Sequence, residues 1–125
     1  YSIFAASMPV TAAGALLPNS QIDMVRDFTP IIKASVSYNI LVTKPKLEVS
    51  SMKELVELLK KNPGKLNYSS GGHGTPAHLV GELFKLQTKV DVAHVPYQQL
   101  PQAIQDLMGG SNDYMFVTTQ RSSTR

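Results

Sequence analysis

The chain has 125 residues, with 12 Lys and Arg against 9 Asp and Glu, a formal net charge of +3, and neither cysteine nor tryptophan. This length lets one domain bury a real core, and the missing cysteine removes disulfides, Cys-ligated zinc and thiol nucleophiles. No apolar run approaches the ~18 residues of a membrane span, and the positive charge is scattered without the aromatic interleaving that stacks on bases, so nucleic acid is not an expected partner.

Residues 1–6 read as a strand, so the chain opens inside an element and is expected to be part of something longer. Residues 11–20 are small and apolar and close on Pro18-Asn19-Ser20, which suits a short helix. Residues 27–36 look extended, and residues 39–43 form a β-rich apolar run stopped by Lys44-Pro45. Ser51 with Glu54 makes a capping box. Met52, Leu55, Val56 and Leu59 then form one helical stripe, ended by Asn62-Pro63-Gly64. Residues 66–68 are a short strand, followed by a tight loop, Ser69-Ser70-Gly71-Gly72-His73-Gly74.

Thr75 caps the next helix with Pro76 at its first position, where a missing N–H costs nothing. Leu79, Val80, Leu83 and Phe84 are its expected buried face. Residues 90–95 are a strand stopped by Pro96. Residues 101–108 are a third helix, with Ala103, Ile104, Leu107 and Met108 apolar and Gly109-Gly110 at its end. Residues 114–117 are the last strand, and the tail from Gln120 is polar. After residue 39 strands and helices alternate. That order predicts an α/β fold, a largely parallel sheet flanked by helices.

The stretch from Tyr68 to His78 can carry chemistry. Gly71, Gly72 and Gly74 permit positive φ and leave space for a ligand. The backbone N–H groups at the following helix N-terminus favour an anion, such as a small carboxylate or phosphate. Ser69, Ser70 and Thr75 add hydroxyls. The loop falls at the carboxyl end of a strand, where ligands of parallel α/β sheets sit. The alternative is a Gly-rich turn that binds nothing. Ser7, Tyr97 and Thr118 also follow strands, and polar groups at several strand ends could share one cleft.

Other chemistries are weaker. A nucleotide-hydrolysing phosphate loop needs a Lys that Gly74-Thr75 lacks. A dinucleotide fingerprint would have Ala77 as its third small residue and no acid at the end of the next strand. Nothing forms a nucleophile elbow around Ser70, so no catalytic residue is assigned. His73 and His78 are five apart and His94 is distant; that spacing matches no zinc pattern, so no metal ligand and no cofactor are assigned. His78 and Glu82, four apart on a helix, suit a surface pair.

Taken together, several motifs are similar to one family. They are Asp27-Phe28-Thr29-Pro30-Ile31, Asn62-Pro63-Gly64-Lys65-Leu66-Asn67-Tyr68, Ser70-Gly71-Gly72-His73-Gly74-Thr75-Pro76-Ala77-His78-Leu79 and Gly81-Glu82-Leu83-Phe84. His94-Val95-Pro96-Tyr97, Asp106-Leu107-Met108-Gly109-Gly110 and Asp113-Tyr114-Met115-Phe116 continue the order. The sequence resembles the substrate-binding proteins of tripartite tricarboxylate transporters, the Bug family, from residue 1 to about residue 116.

The resemblance implies a periplasmic two-lobed receptor, not an enzyme, that hands small carboxylates to membrane permease subunits. Its fold would be one lobe of a type II periplasmic-binding-protein-like fold. Residues 1–30 would be a remnant of lobe one, residues 31–117 lobe two, and residues 118–125 a frayed tail. The loop from Ser70 to Thr75 would hold a carboxylate through backbone N–H groups, and Ser7 would face the cleft from the other lobe. The sequence departs from the family at Gln98-Gln99-Leu100, where Lys-Gly-Gly is usual. It departs again at Val117, where an acid is common, and at His73, where Asn is common. An exposed lobe surface could pair two copies of the chain. Two other uses of such a domain remain open: effector sensing or protein interaction, and an enzyme acting on phosphorylated small molecules.

Overall fold

The computed structural model describes residues 2–6, 11, 19, 21–33 and 35–120. Four strands form one sheet: β1 (Ser37–Thr43), β2 (Asn67–Ser70), β3 (Ala93–Pro96) and β4 (Tyr114–Gln120). Among the described residues, three α-helices flank it: α1 (Met52–Lys61), α2 (Pro76–Thr88) and α3 (Leu100–Gly109). The strand order is β1-β4-β2-β3. β2 pairs in parallel with both β3 and β4, whereas β1 runs antiparallel to β4. The expected largely parallel α/β sheet is present, with one antiparallel edge.

Side chains alternate across the pleat, so each face meets different helices. Tyr68, Tyr114 and Phe116 join Leu55 and Leu59 of α1 and Ala77 of α2 in the main core. Met115 points to the other face and packs with Ala103 and Leu107 of α3. Three consecutive buried residues, Tyr114, Met115 and Phe116, therefore mark β4 as a central strand covered on both sides.

Local chemistry explains most boundaries. Ser51 Oγ accepts the Glu54 N–H at 3.2 Å, as a capping box requires. The return bond is shifted by one residue, because the Glu54 carboxylate takes the Ser50 N–H at 2.8 Å. Thr75 caps α2 and Pro76 opens it. Pro96 stands in β3, which is an edge strand, where a missing donor leaves no ladder bond unmade.

Several expectations are corrected. Residues 2–6 are irregular rather than a strand, and residues 27–33 precede β1 without strand pairing. Nearly all of the expected helix at 11–20 lies outside the described residues. β2 starts later than residue 66 and runs through Ser69 and Ser70, because parallel pairing with Val95 and Pro96 of β3 carries it on. The face of α2 against the sheet is built on Ala77 and Gly81 rather than on Leu83, which is 52% exposed. A Cβ on Gly81 would lie 2.3 Å from Tyr68 Cε2, so the helix sits too close to β2 for any larger residue. Ile104 and Met108 of α3 are exposed, not core. β4 continues through Gln120, paired with Ser37, so residues 118–120 are strand and not tail.

Candidate functional site

The Gly-rich segment between β2 and α2 is held by hydroxyls that look inward. Ser70 is fully buried. Its Oγ accepts the Gly72 N–H at 3.2 Å, lies 3.1 Å from Gly72 O and sits 2.6 Å from His94 Nε2. Thr75 Oγ1 donates to Gly72 O at 2.7 Å and accepts the His78 N–H at 3.4 Å. Gly72 has φ +121 and Gly74 φ +78, conformations that side chains strain. The Tyr97 N–H donates to Ser70 O at 2.9 Å, tying the end of β3 to the end of β2. The backbone N–H groups of His73 and Thr75 have no partner among the described residues. They lie beside the α2 N-terminus, where the helix dipole adds positive potential.

All three histidines of the chain converge here. The His78 and His94 rings stack with centroids 4.3 Å apart, and the His73 ring meets each of them edge-on at 5.2 Å. One ring nitrogen from each lies within 4.8 Å of the other two. Tyr68 stacks beneath His94 at 4.9 Å. The Tyr68 hydroxyl donates to Glu82 Oε1 at 2.6 Å, and Lys85 Nζ lies 3.2 Å from the same oxygen. Glu82 is thus bonded to Tyr68 and Lys85, and its neighbour His78 instead accepts the Gly74 N–H at Nδ1, 3.1 Å away.

Burial, reinforced by repulsion from His78 and His73, pushes His94 down to about 4. Burial is also the main cause that lowers His78. The Tyr68 hydrogen bond holds the Glu82 carboxyl below its usual range. Near pH 7 the cluster therefore presents neutral imidazoles at His78 and His94 beside an ionised Glu82.

The spacing of the histidines matches no zinc pattern and gives no sign of this convergence, because chain spacing does not measure distance across a sheet. His94 pairs with Tyr68 because β2 and β3 are parallel neighbours, which sets it directly beneath the loop. The available signal was the strand pairing, not the interval between histidines.

The other expected site residues divide. Gly71, Gly72, His73, Gly74 and Thr75 form the loop as expected. Ser69 is fully buried in β2 on the Met115 face, away from the histidines, and its Oγ has no hydrogen-bond partner among the described residues. Tyr97 reaches the loop through its backbone, since a Cβ on Gly72 would lie 3.5 Å from Tyr97 O. Its hydroxyl donates to Asp106 Oδ2 at 2.7 Å and accepts from Asn112 Nδ2 at 2.9 Å. Thr118 stands inside β4 rather than after it, and its Oγ1 donates to Asn39 Oδ1 at 2.9 Å. Ser7 lies outside the described residues.

The family described as "Tripartite tricarboxylate transporter family receptor" matches residues 1–125. A curated relative from Pseudomonas sp. (strain P51), the UPF0065 protein in the tcbD-tcbE intergenic region, is 35% identical over 100 residues, covering 78% of this chain and 30% of its own length. The chain thus spans about a third of the relatives it matches. Among solved structures, one described as a periplasmic transporter is 34% identical with TM-score 0.74, over 90% of this chain and 38% of that one. Rpa4515 of R. palustris, solved with adipate, is 31% identical with TM-score 0.66, over 78% and 32%. MatC of Rhodopseudomonas palustris, solved with bound malate, is 25% identical with TM-score 0.72, over 89% and 38%.

Proposed function

The chain belongs to the tripartite tricarboxylate transporter receptor family, and from that premise we propose that it carries the anion-holding part of a receptor for small dicarboxylates. Receptors of this kind bind a solute and do not turn it over. The observation that carries the reading is the pair of N–H groups, His73 and Thr75, that have no partner among the described residues at the α2 N-terminus and the carboxyl end of β2. Such donors suit a carboxylate, and each charge-assisted bond contributes about 1.5–3 kcal/mol net. Relatives solved with adipate and with malate support the ligand class.

In this reading Ser70 and Thr75 shape the loop rather than touch the ligand, because their hydroxyls are already bonded within it. A second lobe would close on the bound carboxylate by hinge motion, and permease subunits of a periplasmic transport system would receive it. The exposed Ile104 and Met108 offer an apolar surface for that lobe or for a second copy.

The test is calorimetry with adipate and malate, with phosphate as control, on this chain and on a full-length receptor that carries it. Binding by the long form, lost in Gly72→Val, is the expected result. Equal binding by wild type and Gly72→Val would remove the loop from the site.

A further inference from the structure

We propose that His73, His78 and His94 form a binding site for one divalent transition-metal ion of the zinc class. The proposal goes beyond the carboxylate reading and does not depend on it. It stands on position: the chain has three histidines, and all three bring a ring nitrogen within 4.8 Å of the others. They arrive from three separate elements: the loop, the first turn of α2, and β3.

The chemistry selects the ion. Imidazole nitrogens suit zinc, copper and nickel, whereas magnesium and calcium require oxygen donors. Three histidines with a fourth position left open are a known way to hold zinc. With Zn–N near 2.0–2.1 Å, nitrogens in a tetrahedral arrangement stand about 3.3 Å apart. The cluster must therefore contract, and the structure shows which residue can move. His78 is fixed on a helix and His94 on a strand, with its Nε2 2.6 Å from Ser70 Oγ. His73 is exposed and flanked by Gly72 and Gly74, so its ring can swing toward the stacked pair.

One existing bond must be exchanged. His78 Nδ1 accepts the Gly74 N–H at 3.1 Å. A metal on Nδ1 displaces that donor, and a metal on Nε2 requires a proton on Nδ1, which excludes it equally. Ion binding is thus coupled to the loop backbone at Gly74. Glu82, bonded to Tyr68 beneath the cluster, supplies negative charge near the ion without being a ligand. Lys85 beside it tempers that charge.

The experiment uses the tag-free chain and zinc chloride in a buffer without carboxylate or phosphate. Calorimetry is combined with NMR of the imidazole resonances, which here arise from three rings only. One ion per chain is expected, with all three rings shifting in a single step and no response to magnesium. His73→Ala should weaken zinc binding at least tenfold while leaving the circular dichroism unchanged, since His73 is exposed. Absence of zinc binding, shifts confined to one ring, or unchanged affinity in folded His73→Ala would each overturn the proposal. Because no carboxylate is present, failure here leaves the carboxylate reading to its own titration.

Discussion

At the amino ends of β2 and β4, Asp113 accepts the Asn67 N–H at 2.8 Å and pairs with Lys44, while Lys44 N–H donates to Asp113 O at 2.9 Å and Asp113 N–H to Asn67 Oδ1 at 3.2 Å. At the carboxyl end of β2, the loop leaves the His73 and Thr75 N–H groups without partners among the described residues and crowds three imidazoles together. One end of the sheet is closed by a partly buried, mutually satisfied polar network joining three strands. The other keeps donors and lone pairs unspent. Polar groups that satisfy one another stabilise, and those left open are free to meet a ligand, so satisfied and open polar groups are separated along the strand direction.

A closed amino end requires Asp113 to be structural. Asp113→Ala should lose about 2–4 kcal/mol in urea unfolding, because it strands the Asn67 donor and a largely buried Lys44. A loss below about 1 kcal/mol would mean that the network is incidental.

Gly81→Val probes the link between core and loop. Its side chain would strike Tyr68, which is packed between His94 and Tyr114. Overpacking of this kind costs about 1–3 kcal/mol. The displaced Tyr68 should also disturb the His94 resonance, which a purely local clash would leave alone.

Ser51→Ala serves as the control at neither end. Loss of the α1 cap should cost about 1 kcal/mol in thermal unfolding and leave the imidazole spectrum unchanged.

The last effect is on pH. His94 titrates near 6.5 unfolded and about 4 folded, and His78 is lowered in the same direction. A depressed histidine binds its proton more readily in the unfolded state. Its contribution to stability is present above pH 6.5 and is lost as pH falls from there toward 4. Unfolding curves at pH 7.5 and pH 5 should therefore differ, and His94→Gln should flatten the difference. An identical pH slope in that variant would remove His94 as its source.

Local sequence rules located α1, α2 and α3 well, because their signals are short-range. Ser51 and Thr75 cap, Pro76 opens, and Gly110 closes a helix at φ +88. Strand limits were less legible, because pairing partners set them. Thr118 became strand once Asn39 faced it, and Ser70 did so once Pro96 did. Of the site, the glycine loop and its cap were readable from residue type. The roles of Ser69 and Tyr97 were not, since the first depends on which face of β2 is covered and the second on Asp106 and Asn112 arriving from elsewhere.

Sequence alone determined the alternation of strands and helices, the glycine-rich loop at a capped helix N-terminus and the family resemblance, because each rests on short motifs and their order along the chain. Tertiary structure alone decided that Gly81 must admit Tyr68, that Asp113 locks the far end of the sheet, and that three histidines spread over 22 residues share one cluster. The reason is physical. Capping and turn chemistry act along the chain, whereas strand order and register set distances across it, and those depend on the burial of the whole sheet.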